Sequence, residues 1–300
     1  MRFGRDAEAL GPAEAYAALE RFAQRYGRIP LLLLIHVAVP QGFRADLLNL
    51  IKVNFVLEAG DDLTVDVDVL FSPFVESLGS GYYRLDEEVR HQCLILLDSV
   101  HREESERRSM AVARFLLAYV SKLARGPEAA EDTLLRDYLS VQSWVAGAFL
   151  DPVETAGQFA GALRGVAGAN AGARLQISGL GSALSIPLSG YPELIAYAHG
   201  LGALASGDRS SAERFFRPFA SAGLQIGDVS LPPPAKLLRS RIIVEQAPEH
   251  KSPPPPPRAV PVRTEIQIFV SYASMDDTVP PHLPWQGICD HARRTPAQRN

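Results

Sequence analysis

Apolar residues recur at helical spacing through most of the first 230 positions of the chain. This periodicity predicts amphipathic or buried helices, because residues three and four apart share one helix face. Gly27 should end the first helix, and Asp86 and Asp151 are typical N-cap residues of later ones. The predicted helices cover residues 13–26, 43–58, a stretch after Asp86, 112–123, 133–147, a stretch after Asp151, and a hairpin over 193–221.

Two stretches leave the type of element open. Residues 31–39 form an apolar run between two prolines, which suits either a buried strand or a core helix. Residues 64–71 alternate between apolar and acidic positions, and this alternation favours a strand. A helix fits the same residues if it buries Val65, Val69 and Leu70.

The segment from Phe71 to Leu97 places a glycine-rich turn before a helix. The wing and recognition helix of a DNA-binding protein would have this arrangement. Its arginines, however, are interspersed with glutamates such as Glu87 and Glu88, which cancels the positive stripe that a phosphate backbone requires. We therefore predict a winged-helix-like shape that contacts proteins, with a DNA-binding regulator as the weaker alternative.

The predicted hairpin over residues 193–221 has Gly207 and Asp208 between its two helices. It resembles a single tetratricopeptide-type hairpin, but no second copy follows at the expected period, so a solenoid is not predicted. The preceding residues 165–190 are rich in Gly, Ala and Ser, and they predict only a short helix and a loop.

Composition narrows the classes of function. Apolar residues make up 47% of the chain, charged residues 21%, and the net charge is −4, so no overall positive field attracts nucleic acid or an acidic membrane. The longest apolar run is too short to span a bilayer. The two cysteines form no metal or disulfide motif. We predict a cytoplasmic protein that binds neither nucleic acid nor membranes.

Candidate metal and nucleophile residues have simpler interpretations. Asp66 and Asp68 lie opposite three valines in the alternating stretch, and the glycine and terminal glutamate of a calcium loop are missing, which predicts a solvated strand face. His91 and Cys93 diverge on a helix, and Cys93 falls on the apolar stripe, which predicts a core thiol. We predict no metal site, no catalytic residue and no cofactor.

The composition changes at Pro232, where proline runs begin to enclose a polar stretch that cannot build a core. A disordered spacer with polyproline II geometry is expected there. The predicted domains are a helical N-terminal domain at 1–125, a helical hairpin region at 126–231, the linker at 232–263 and a C-terminal segment at 264–300.

Residues 265–277 contain an alternating apolar run that ends in Phe-Val-Ser-Tyr-Ala-Ser-Met-Asp-Asp. This motif resembles the opening strand and first loop of bacterial TIR domains. The resemblance implies a flavodoxin-like α/β fold, self-association and, in many members, cleavage of the glycosidic bond of NAD. It also implies that a nucleotide pocket in a complete domain would be bordered by Ser271, Tyr272, Ser274 and Asp276.

The C-terminal segment has 37 residues. Chains shorter than roughly 40 residues rarely fold unaided. Pro280, Pro281 and Pro284 oppose the helix that the TIR pattern requires next. We therefore expect a truncated TIR domain, and no position here inherits the family's catalytic glutamate. We expect the chain as it stands not to be an enzyme; the alternative is a TIR-type NAD hydrolase whose TIR domain is truncated in this sequence.

The helical region from Pro30 to about Leu231, with runs such as LLLLIHVAVP and RFLLAYVSKL, is similar to an N-terminal region of bacterial multidomain proteins. In those proteins it precedes caspase-like, formylglycine-generating-type, WD-repeat or TIR modules. The similarity implies sensing or assembly that controls an attached effector. We expect a mainly α signalling or defence protein that binds protein partners or forms a homo-oligomer through its helical region.

Overall fold

Helices dominate the part of the chain that the computed structural model describes, which is residues 11–57, 64–102, 106–219 and 223–233. The chain divides into two compact units, and the boundary falls between Val112 and Ala113. Residues 234–263 of the linker and the TIR-like segment lie outside the described residues, so the predictions made for them stay predictions. The mainly α class is confirmed for the described residues.

The first unit combines helices with a small antiparallel sheet. Strand β3 pairs with both β1 and β2, giving the order β1-β3-β2, with Phe43 opposite Tyr83 and Val75 opposite Leu85. The β2–β3 hairpin turns at Ser80, where the backbone has a positive φ of 52° between two glycines. The elements are α1 (Pro12–Tyr26), α2 (Arg28–His36), β1 (Phe43–Arg44), α3 (Ala45–Phe55), α4 (Val65–Leu70), β2 (Val75–Gly79), β3 (Tyr82–Leu85) and α5 (Glu87–Val100).

Several predicted helix ends are confirmed in this unit. Gly27 ends α1 with a φ of 90°, a conformation that disfavours any residue with a Cβ. The Asp86 carboxylate accepts hydrogen bonds from the backbone amides of Glu88 and Val89, both at 3.1 Å, and so caps α5. The apolar run at residues 31–39 begins within α2, so the core-helix alternative is correct.

The alternating stretch at residues 64–71 forms helix α4 and not a strand. Val65 and Val69 are buried four residues apart on one helix face. The expectation that Asp66 and Asp68 lie on one solvated strand face is therefore wrong. Asp66 instead lies beside a buried lysine, described below.

The described part of the second unit is helical except for one short strand pair. Strands β4 and β5 form an antiparallel hairpin with Leu224 opposite Leu231, which the sequence did not predict. The elements are α6 (Arg108–Ala124, which contains the unit boundary), α7 (Glu128–Glu131), α8 (Thr133–Leu150), α9 (Pro152–Val166), α10 (Ala171–Leu184), α11 (Pro192–Ala205), α12 (Arg209–Phe216), a 3-10 turn (Arg217–Phe219), β4 (Leu224–Ile226) and β5 (Val229–Leu231).

Capping residues define the helices of the second unit. Asp151 accepts from the Glu154 amide at 2.9 Å, and Asp208 accepts from the Ser211 amide at 3.0 Å, which confirms the predicted starts of α9 and α12. Asn170 accepts from the Ala173 amide at 2.9 Å and begins α10. The prediction of only a short helix over residues 165–190 is wrong, because α10 has 14 residues.

Helices α10, α11 and α12 pack closely because glycines lie at their contacts. A Cβ built on Gly181 would lie 2.8 Å from the Ala198 Cβ, and one on Gly200 would lie 2.6 Å from the Phe216 Cζ. The Phe216 ring is buried and packs edge-on against Tyr197, with the ring centroids 5.4 Å apart. The core of the second unit therefore has no space for a methyl group at Gly200.

We predict that Gly200→Ala destabilises the second unit and that Gly157→Ala does not. At Gly157, a helical position, no atom lies within 4 Å of the added Cβ. Alanine adds about 0.5–1 kcal/mol of helix stability at either position. At Gly200 the clash with the buried Phe216 ring costs about 1–3 kcal/mol and outweighs that gain.

Urea titration followed by the fluorescence of the buried Trp144 measures both changes, in a background where Trp285→Phe removes the second tryptophan. A Gly200→Ala variant as stable as Gly157→Ala would contradict the close packing of α11 on α12.

Candidate interaction surface

The outer side of helix α4 is the most exposed apolar feature of the first unit. Thr64, Val67, Asp68 and Phe71 follow one another at helical spacing, and the Phe71 amide donates to the Val67 carbonyl at 3.0 Å, which keeps Phe71 in helical register. Val67 is 50% exposed and Phe71 83% exposed. We call these four residues the α4 surface. An exposed phenylalanine in line with an exposed valine is typical of a binding surface.

The inner side of α4 is held by an ion pair. The Lys52 Nζ on α3 lies 3.3 Å from an Asp66 carboxylate oxygen, and the Lys52 side chain is only 5% exposed. A buried ammonium group without a carboxylate would be strongly destabilising. Asp66 faces α3 through this contact, and the α4 surface lies on the solvent side.

The β2–β3 hairpin has a second exposed apolar residue and its own ion pair. Leu78, near the turn, is 53% exposed. At the base of the hairpin, two guanidinium nitrogens of Arg84 lie 2.8 Å and 2.7 Å from one Glu76 carboxylate oxygen. The stacked rings of Phe43 and Tyr83, 5.9 Å apart, join the hairpin to β1.

The stretch of sequence that contains the α4 surface is acidic. Residues 53–83 contain six acidic residues and no lysine, arginine or histidine. The basic residues on either side of this stretch are paired: Lys52 with Asp66, and Arg84 with Glu76. Arg44 lies 3.4 Å from Asp46. The stretch therefore offers a phosphate backbone no basic residue of its own.

Arg90, one of the arginines in the segment from Phe71 to Leu97, is buried. Its Nε donates to the Ala38 carbonyl at 2.9 Å and its Nη2 to the Val39 carbonyl at 3.3 Å. Burial lowers the pKa of Arg90 from 12.5 to about 10, so the guanidinium keeps its charge at neutral pH. Arg90 holds the turn before β1 against α5 and is not available to a ligand.

Cys93, one turn along α5, is a buried free thiol, as predicted. Burial raises its pKa far above the ordinary value, so it stays protonated. His91 lies on the exposed side of the same helix. The two residues do not form a site.

His36 and His101 form a buried pair that the sequence did not predict, because they lie far apart in the chain. Their ring centroids are 5.3 Å apart in an edge-to-face arrangement. The His36 Nδ1 donates to the Leu32 carbonyl at 2.7 Å, since a carbonyl can only accept. The His36 Nε2 is buried and has no hydrogen-bond partner within the described ranges.

Both histidines are neutral at physiological pH. Burial lowers the pKa of His36 from 6.5 to about 3, and His101 and Arg108 add to this effect. Burial also lowers the pKa of His101 to about 4, together with Arg108 and Arg28 and against the opposing effect of Asp98. The positive charges of the nearby arginines thus oppose protonation of either imidazole ring.

The predicted nucleotide-pocket residues Ser271, Tyr272, Ser274 and Asp276 lie outside the described residues. Among the residues that the structure does describe, no group of three or more His, Cys, Asp or Glu side chains could hold a metal ion. Within the same ranges, no helix is long and apolar enough to cross a membrane.

Comparison with known proteins adds no family or relative. No family model, no curated protein and no solved structure matches the chain.

We predict that the first unit loses stability as the pH falls below 6.5. The unfolded histidines bind protons at about pH 6.5, but the folded ones stay neutral down to about pH 3 to 4. The free energy of unfolding that comes from burying the two neutral histidines is therefore fully present above pH 6.5 and is lost on acidification. The two histidines together give a slope of up to about 2.7 kcal/mol per pH unit.

Hydrogen exchange of the α2 and α5 amides, corrected for intrinsic rates, measures this slope. His36→Leu should roughly halve it, because one proton is no longer taken up on unfolding. His91→Leu, at an exposed position of α5, should leave it unchanged. Equal slopes for the wild type and His36→Leu would show that His36 is not kept neutral by burial.

Proposed function

We propose that this chain is a cytoplasmic assembly protein, in which the helical region mediates protein–protein contacts and controls the TIR-like segment at residues 264–278. The segment's resemblance to TIR domains, together with the similarity of the helical region to N-terminal regions that precede effector modules, motivates the control role. The surface of the first unit supports the assembly role.

The first unit has the element order of a winged helix. Helix α2 is followed by β1, two helices and the β2–β3 hairpin, and β3 lies between β1 and β2 in the sheet. In this arrangement α4 occupies the place of the recognition helix, and the hairpin is the wing. We infer a winged-helix-like module from this order.

The single observation behind the assembly role is the chemistry of the α4 surface. A helix that enters a DNA groove presents basic and polar residues to phosphates and bases. Here the same position presents Val67 and Phe71 within a stretch that has six acidic and no basic residues. Such a surface repels phosphate and fits a protein partner, for which an exposed aromatic residue can supply much of the binding energy.

We further propose that the partner includes a second copy of the chain. TIR domains self-associate, and an assembling N-terminal region would bring their copies together. The α4 surface is the candidate contact, because Phe71 is 83% exposed in the single chain. Burying a phenylalanine side chain contributes about 1.5–3 kcal/mol.

Sedimentation velocity of the full chain over a wide range of concentrations tests this proposal. The wild type should associate, and Phe71→Ser should raise the dissociation constant at least about tenfold, since a central aromatic residue commonly contributes about 2 kcal/mol or more. Ile95→Ser is the matched control, because Ile95 is 52% exposed on α5.

A monomeric wild type at every concentration would contradict the self-association. Retention of the chain on duplex DNA that weakens with added salt would instead favour the DNA-binding alternative. The same preparation, incubated with NAD, should leave the nicotinamide bond intact if the chain acts by assembly alone.

A further inference from the structure

The linker contains a run of ten residues that is both basic and apolar. Residues 235–244 read Ala-Lys-Leu-Leu-Arg-Ser-Arg-Ile-Ile-Val, with three basic residues, five large aliphatic residues and no acidic residue. The run lies outside the described residues and between proline-rich stretches. Ten residues are too few to bury five aliphatic side chains among themselves. A run of this composition gains most from a surface that supplies both apolar contact and negative charge.

The run begins directly after a fixed point of the second unit. The Tyr197 hydroxyl donates to the Pro232 carbonyl at 3.0 Å, and Leu231 is buried in the core of that unit. Burial also raises the pKa of Tyr197, so the phenol keeps its proton and remains a donor. In the chain, residue 235 follows this anchor by three positions.

The α4 surface has the complementary chemistry. Val67 and Phe71 offer exposed apolar area, and Asp68 lies between them on the same helix face. In the sequence, the stretch from 53 to 83 that contains this surface has six acidic residues and no basic one. Opposite charges on the two segments would direct them together and fix their register.

We propose that residues 235–244 of a second copy of the chain bind the α4 surface. This inference rests on the self-association proposed above and names the segment that mediates it. Each chain has one such surface and one such segment, so two copies can satisfy each other through two identical contacts. Once one contact has formed, the second becomes intramolecular and adds to the stability of the dimer.

Photocrosslinking of the full chain tests this pairing directly. Phe71 is replaced by p-benzoylphenylalanine, and protein grown on 15N is mixed with an equal amount of unlabelled protein before irradiation. We expect crosslinks from position 71 to residues 235–244, with mixed isotope labels that identify two different chains. A photocrosslinker at Ile95, on α5, should not reach residues 235–244.

A charge-reversal variant provides a second measurement that leaves the α4 surface unchanged. Lys236→Glu, Arg239→Glu and Arg241→Glu together should abolish the crosslinks and raise the dissociation constant at least about tenfold, because they replace attraction to an acidic stretch by repulsion between like charges. If the residue at position 71 itself disturbs binding, a photocrosslinker at the exposed Thr64 replaces it.

The outcomes separate this inference from the function on which it rests. Crosslinks to residues 235–244 with a single isotope label would show binding within one chain and overturn the proposed partner. Association that persists with crosslinks to other residues would overturn the inference and leave the assembly role intact. A wild type that does not associate at all would overturn both.

Discussion

The ion pair between Lys52 and Asp66 determines which side of α4 faces solvent. The lysine side chain is almost fully buried, and the Asp66 carboxylate compensates the charge of its ammonium group there. Asp66 can meet Lys52 only if α4 lies with Val65 and Val69 toward the core. Because these residues are buried, Val67 and Phe71 must be exposed. The binding surface thus follows from an interaction on the opposite side of the helix.

A second set of interior contacts positions the hairpin beside this helix. Arg90 on α5 binds the Ala38 and Val39 carbonyls, which lie in the turn that leads into β1. Strand β1 pairs with β3, and β3 forms the hairpin with β2. The Asp86 amide donates to the Phe74 carbonyl at 2.8 Å, so the two ends of the hairpin are also joined. Arg90 is thereby a structural residue, although its charge resembles that of a nucleic-acid contact.

The elements that could be predicted from the sequence are those set by local interactions. Asp86, Asp151 and Asp208 each accept from an amide two or three residues away, so a short window of sequence contains the whole signal. The helix over residues 65–70 had no such local signal, because its residues fit the spacing of a strand as well as that of a helix. Lys52, the ion-pair partner of Asp66, lies on another helix.

The interior polar contacts and the α4 surface could not be predicted for the same reason. Arg90 and its two acceptors are separated by more than fifty residues, and His36 meets His101 only in the folded unit. The exposure of Phe71 is equally non-local, since an isolated phenylalanine at the end of an apolar run would be expected in the core. What the sequence does contain is the absence of basic residues from 53 to 83, which already opposes a nucleic-acid role.

That absence also bears on what kind of partner the surface can select. Apolar contact alone is non-directional and would fit many hydrophobic segments equally well. The Asp68 carboxylate, on the same helix face as Val67 and Phe71, attracts a basic segment and repels an acidic one. Salt would screen this charge and leave the apolar contribution in place. Affinity would then reside mainly in Phe71 and Val67, and selectivity in the acidic side chain beside them.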